Sequence, residues 1–174
     1  MTVPPHLGFL AALAKANVDY LLIGMMGLNH YAERPGDVFH TEDVDVLIAP
    51  RADGLRRACA ALTRAGYELE SNGEALGTVD AFLARRIVER RAVITGRHEH
   101  GLGVDIVLEA RPYTFAQWRR FARRFRVDDI QVVCASQEMI LRAKADAGRP
   151  KDKAFLKIYE ASRPKAAKKR KGAP

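Results

Sequence analysis

Cysteine is scarce in this chain of 174 residues: there are two, Cys59 and Cys134. That excludes a disulfide-stapled scaffold and a cysteine-rich zinc module. Both sit in apolar surroundings and read as buried free thiols of a reducing compartment. Long apolar runs are missing too, since the stretch from Tyr20 to Met26 falls far short of the ~20 residues of a membrane span. The N-terminus, Met1-Thr-Val-Pro-Pro, lacks the basic segment and apolar stretch of a secretory signal. A cytoplasmic protein with no membrane partner is therefore expected. No internal repeat is visible, and acidic residues are absent from the stretch Arg163 to Pro174, which carries six basic ones.

What is present is an ordinary globular composition, 48% hydrophobic and 29% charged, which excludes general disorder. The length suits one domain, residues 1–162, followed by a basic tail, 163–174, with no apolar face to bury. The tail holds six positive charges against a net of +8 for the whole chain, so the domain itself is close to neutral. Such a tail either binds a polyanion through counterion release or serves solubility.

The hydrophobic pattern alternates between helix and strand. Residues His6 to Ala16 have helical spacing, Asp19 to Gly24 reads as a short buried strand, and Met25 to Glu33 reads as a helix up to Arg34-Pro35-Gly36. Thr41 to Ile48 alternates with period two, and Ala52 to Ala65 is a helix closed by Gly66. A helix is expected over Val79 to Glu89, then a hairpin made of Arg91 to Thr95 and Val104 to Leu108. A short helix over Phe115 to Phe121, a strand over Ile130 to Cys134 and two closing helices, Gln137 to Ala147 and Asp152 to Ala161, complete the order. This predicts an α/β domain with a mixed sheet and C-terminal helices.

Asp43 and Asp45 stand two apart on a strand, so both carboxylates leave the same face. Asp105 interrupts a second apolar strand, where an acid is equally costly. If the two strands are neighbours, three carboxylates converge, and hard oxygen clusters of this kind hold Mg²⁺, one ion or two, for phosphoryl transfer. Gly24, at the end of the preceding strand, lets backbone N–H groups approach a phosphate.

Ile23-Gly24 followed by a helix, then Thr41-Glu42-Asp43-Val44-Asp45-Val46, then Val104-Asp105-Ile106, resembles the nucleotidyltransferase fold of the polymerase-β superfamily. The pattern there is a glycine pair or Gly-Ser, an Asp-x-Asp, and a third acid on a later strand. The segment Lys144-Ala-Asp-Ala-Gly-Arg149-Pro-Lys151-Asp152 is similar to the C-terminal motif of the AbiEii-type toxin and minimal nucleotidyltransferase branch. The resemblance runs from about Tyr20 to Tyr159. It implies a nucleotidyltransferase-like domain in which Asp43, Asp45 and Asp105 bind metal. Gly24 and Met25 form the phosphate turn, and Lys144 and Asp152 contact nucleotide phosphate or orient the reacting group.

The implied activity is Mg²⁺-dependent transfer of a nucleoside monophosphate from a nucleoside triphosphate to an acceptor hydroxyl. The acceptor would be an RNA or tRNA end, or a cognate partner protein as in toxin–antitoxin pairs. Met25 departs from the pattern by replacing a second glycine or serine, and Arg34 to His40 is longer than the usual link. The alternative is a catalytically degraded member kept as a binding or regulatory module. Among other candidates, His98-x-His100 has the form of a zinc pair but suits a solvated loop. His30, Trp118 and Tyr113 suit packing. Arg85-Arg86, Arg90-Arg91, Arg119-Arg120 and Arg123-Arg124 suit solvated helix faces or a basic substrate surface.

Overall fold

The computed structural model describes residues 3–162, and the basic tail lies outside them. The chain order is α1 (Pro5–Lys15), β1 (Tyr20–Leu22), α2 (Gly24–Asn29), β2 (Asp43–Ile48), α3 (Ala52–Arg64), β3 (Glu68–Ser71), β4 (Glu74–Leu76), α4 (Ala81–Arg90), β5 (Ile94–Arg97) and β6 (Gly103–Val107). Then come α5 (Phe115–Arg119), β7 (Arg123–Val127), β8 (Ile130–Cys134), α6 (Gln137–Ala147) and α7 (Pro150–Ser162). All the strands join one mixed sheet in the order β4-β3-β5-β6-β2-β1-β8-β7. β2/β6 and β1/β8 are parallel, and the other pairs are antiparallel.

Alternation along the central strands gives the sheet two different faces. Val44, Val46 and Ile48 of β2 point into a core with α1, α3 and α4, where Phe9, Leu10, Leu55, Leu62 and Ile87 are buried. Each such side chain contributes about 1.5–3 kcal/mol on leaving water, and this face carries most of them. Leu47 points the other way, into a smaller core with Leu21, Trp118, Ile140 and Tyr159 under α5, α6 and α7. Asp43 and Asp45 share that second face with Leu47.

Three strands lie outside the expected pattern. β3 and β4 form a hairpin around Asn72-Gly73, both at positive φ (51° and 80°), which suits a two-residue turn. β7 pairs with β8 at the sheet edge, so Arg123 and Arg124 stand on a strand rather than on a helix face. Two boundaries also move. α4 runs to Arg90 and ends on Arg91 at φ 52°, which delays β5 to Ile94. α2 stops at Asn29, whose side chain exchanges two hydrogen bonds with the Phe39 backbone, donating at 2.7 Å and accepting at 2.9 Å.

Candidate active site

β2 and β6 run parallel with Asp45 opposite Asp105 and Asp43 opposite Gly103. All three carboxylates therefore leave one face of the sheet, at the end where β1 hands over to α2. Asp105 is held from its other side. Thr95 pairs with it across β5/β6, and the threonine hydroxyl donates to Oδ1 at 2.6 Å. The Thr41 hydroxyl lies 3.1 Å from Asp43 Oδ1 and donates towards it at the mouth of β2. Asp43 is exposed and Asp45 half-buried.

Asp45 carries the electrostatic cost of this arrangement. Burial pushes its carboxyl up, the neighbouring charges of Asp43 and Asp105 push it further, and Lys144 and Lys151 pull back; the result is a pKa of about 6. Its carboxylate leans directly on Gly24. A Cβ at that position would collide with Asp45 Oδ2, and the backbone there sits at φ +63°, so both space and conformation require glycine. Ile23 N–H donates to the Asp45 carbonyl at 3.0 Å, which carries the β1/β2 ladder up to the turn. Met25 packs against the second core.

Opposite these acids stands the junction of α6 and α7. Ser136 caps α6 by accepting from Met139 N–H, and Gly148 ends it at φ +59°. The break lets α7 fold back so that Asp152 lies under Lys144. Asp152 is 2% exposed, accepting from Arg149 Nε at 2.5 Å and Lys144 Nζ at 3.4 Å. Burial would raise its carboxyl, but the Arg149 hydrogen bond and the Lys144 and Arg149 charges outweigh that and hold it below the usual range. The Lys144 ammonium also sits over the Phe155 ring at 5.2 Å. Lys144 is thus fixed at the core edge by Asp152 and Phe155, and its charge reaches Asp45. Between α6 and the sheet lies a cleft of about 360 Å³ whose lining includes Gly24, Asp45, Lys144 and Arg149.

Thr95, Arg149 and Lys151 are the residues that sequence reasoning missed. Arg149 and Lys151 stand inside the quoted Lys144-to-Asp152 segment, so their place was readable; Thr95 reaches Asp105 only through strand register. Of the other candidates, Trp118 lines this same cleft, and the histidines do not. His98 Nδ1 accepts from the His100 backbone at 3.1 Å and its ring packs on Tyr67, so the two do not form a ligand pair. His30 stacks on Phe125, and Trp118 is buried with its indole N–H donated to the Ala110 carbonyl at 2.9 Å.

Among the described residues, no three acidic, imidazole or thiol side chains are gathered closely enough to cage an ion. Mg²⁺ does not ask for that: it binds one or two carboxylates and completes its shell with water and substrate phosphates. Hard oxygens on one face, mutually repelling at Asp45 and backed by a bare glycine, fit such an ion.

Over 86% of its length the chain superposes on the lincosamide antibiotic adenylyltransferase LnuA in its lincomycin-bound structure, at 17% identity and a TM-score of 0.55, covering 90% of that protein. The fold is nucleotidyltransferase-like. An antigenic nucleotidyltransferase-like protein from Paracoccidioides brasiliensis agrees, with 20% identity and a TM-score of 0.53 over 90% of this chain and 73% of that one. No protein-family model matches the sequence, and no curated protein matches it. The structural likeness covers the nucleotidyltransferase fold and does not single out the AbiEii-type branch. Among the described residues no helix is long and apolar enough to cross a membrane.

Proposed function

We propose that the chain is a Mg²⁺-dependent nucleotidyltransferase that moves a nucleoside monophosphate from a nucleoside triphosphate to an acceptor hydroxyl. One observation carries the reading: Asp43, Asp45 and Asp105 share one face and register beside Gly24, with Lys144 held facing them. Asp43 and Asp45 would hold Mg²⁺, with Asp105 completing the shell of a second ion. The ion supplies Lewis-acid neutralisation of the phosphates when bound.

The chain's own residues do the rest. The bare backbone at Gly24 lets the phosphates approach, and Lys144 meets the charge that develops on the leaving pyrophosphate. Asp152 orients Lys144 from beneath. The acceptor oxygen attacks the α-phosphorus, the α–β bridging bond breaks, and the hydroxyl proton passes to Asp105. Thr95 donates to Oδ1 of Asp105 and holds that carboxylate in place.

For the acceptor, an RNA end or a cognate partner protein remains the reading of choice, as in toxin–antitoxin pairs of the AbiEii-type branch. The test is incubation with labelled triphosphates, Mg²⁺ and cell extract, followed by separation of RNA, protein and small molecules. Label should enter one fraction and vanish with Asp43→Asn. A second reading, a binding module without turnover, draws on Met25 in the phosphate turn. Nucleotide binding that does not respond to Mg²⁺ or to Asp43→Asn would select it.

A further inference from the structure

We propose that the side of the cleft away from Lys144 is a nucleobase slot, in which Glu109 and Arg111 read the edge of the base. The proposal rests on nucleotide binding at the site described above. The cleft has two chemically different sides. On the α7 side, Lys144 and Arg149 bring positive charge. On the other, the chain leaves β6 and turns through Glu109-Ala110-Arg111. Val107, Trp118, Ile140 and Ala143 add apolar lining to the same cleft. An apolar gap of this kind admits a flat ring and repels a phosphate, which would lose its hydration there.

The turn after β6 is fixed across the gap. The Tyr113 hydroxyl donates to Asp146 on α6 at 2.5 Å, and the Arg142 guanidinium lies over the Tyr113 ring at 5.6 Å. From below, the Trp118 indole N–H holds the Ala110 carbonyl. The width of the slot is therefore set before any ligand arrives, which lowers the cost of ordering on binding.

Glu109 and Arg111 supply exposed hydrogen-bonding side chains on that side. They pair with each other at 3.1 Å, with Arg111 83% and Glu109 38% exposed. An exposed ion pair of this sort contributes little to stability, so exchanging it for a ligand costs little. One partner only accepts and the other only donates, and the Watson–Crick edge of every nucleobase offers at least one donor and one acceptor. The pair matches the base in kind, while Lys144 and Arg149 match the phosphates.

The experiment is calorimetric binding of ATP, GTP, CTP, UTP and inorganic tripolyphosphate, in Mg²⁺, to the full chain and to Glu109→Gln and Arg111→Met. At least one nucleotide should bind more tightly than tripolyphosphate. Each variant should weaken that nucleotide about ten- to a hundredfold, as loss of a hydrogen bond to a charged group does, and reorder the four. Tripolyphosphate affinity and the unfolding midpoint should stay at wild-type values, since both side chains are exposed. Tripolyphosphate binding as tightly as every nucleotide overturns the slot, and so does either variant that leaves the nucleotide-to-tripolyphosphate ratio unchanged. No binding of any nucleotide or of tripolyphosphate to the wild type overturns the nucleotidyltransferase reading itself, a different result from failure of the slot alone.

Discussion

Replacing Asp45 by Asn should make the metal-free protein more stable while abolishing Mg²⁺-dependent nucleotide binding. The carboxyl titrates near 6 in the folded protein against an ordinary value of 3.8. Between those two values the folded state holds a proton that the unfolded chain has released. Native stability must therefore fall as pH rises through that window, and the penalty is complete above it. Two pH units at 1.36 kcal/mol each make the penalty about 3 kcal/mol. Asparagine cannot ionise, so the variant recovers up to that amount at pH 8 and gains nothing from this source below pH ~4. For a domain of this size the gain corresponds to a rise in Tm of about 6–12 °C. The assay is thermal unfolding of both proteins in EDTA from pH 4 to pH 8, repeated with Mg²⁺ and nucleoside triphosphate. Ligand should raise the wild-type midpoint and leave the variant unmoved. A variant that is less stable than wild type at pH 8, or a difference that does not change with pH, would refute the view that this carboxylate is held against repulsion.

Four further outcomes follow from the same geometry. Gly24→Ala must collide with Asp45 and adopt a strained φ, so it should lose about 1–3 kcal/mol of stability, read by denaturant unfolding, and should weaken nucleotide binding. Thr95→Val should lower the transfer rate, because the donor that holds Asp105 in place is gone; Thr95→Ser should restore it, and an unchanged rate in Thr95→Val would remove the threonine from the site. Lys144→Met keeps a stem over Phe155 and leaves Arg149 on Asp152, so its midpoint should hardly move while transfer collapses. Asp152→Asn takes the counter-charge from the half-buried Lys144 ammonium and from the exposed Arg149, and should cost about 1–3 kcal/mol.

The parts of this fold that sequence disclosed are those where residue type and period conflict. Asp43, Asp45 and Asp105 stand out because an acid on an apolar strand has to be explained, and their shared face follows from period-two alternation alone. The strands that escaped notice are ones in which the conflict is absent. In β3 only Leu69 of Glu68-Leu-Glu-Ser71 is buried, so the apolar signal is one residue deep. Its Asn72-Gly73 turn was the readable clue. β7 hides in the same way, since Arg123-Arg-Phe-Arg-Val127 turns only Phe125 and Val127 inward, and Phe125 earns its place by packing edge-on against Tyr31 at 4.8 Å. Register is a further layer that no single segment encodes. Thr95 meets Asp105 because two strands pair, and Asp152 is buried because Lys144, eight residues earlier, comes back over it.

Asp45 and Asp152 make the decisive contrast. Asp152 is the more deeply buried, yet its carboxyl is held below the ordinary range because the chain brings a lysine and an arginine to its two oxygens. Asp45 is half-buried, and its carboxyl is pushed up first by that burial and then by the like charges of Asp43 and Asp105, more than Lys144 and Lys151 pull it back. In the proposed mechanism Asp45, whose shift Lys144 and Lys151 only partly offset, is the acid held for a task. The charge that would relieve it is a cation from outside, shared with the phosphates that Gly24 leaves room for. Lys144 bonds Asp152 and its charge acts on Asp45, which ties the structural acid to the proposed metal ligand.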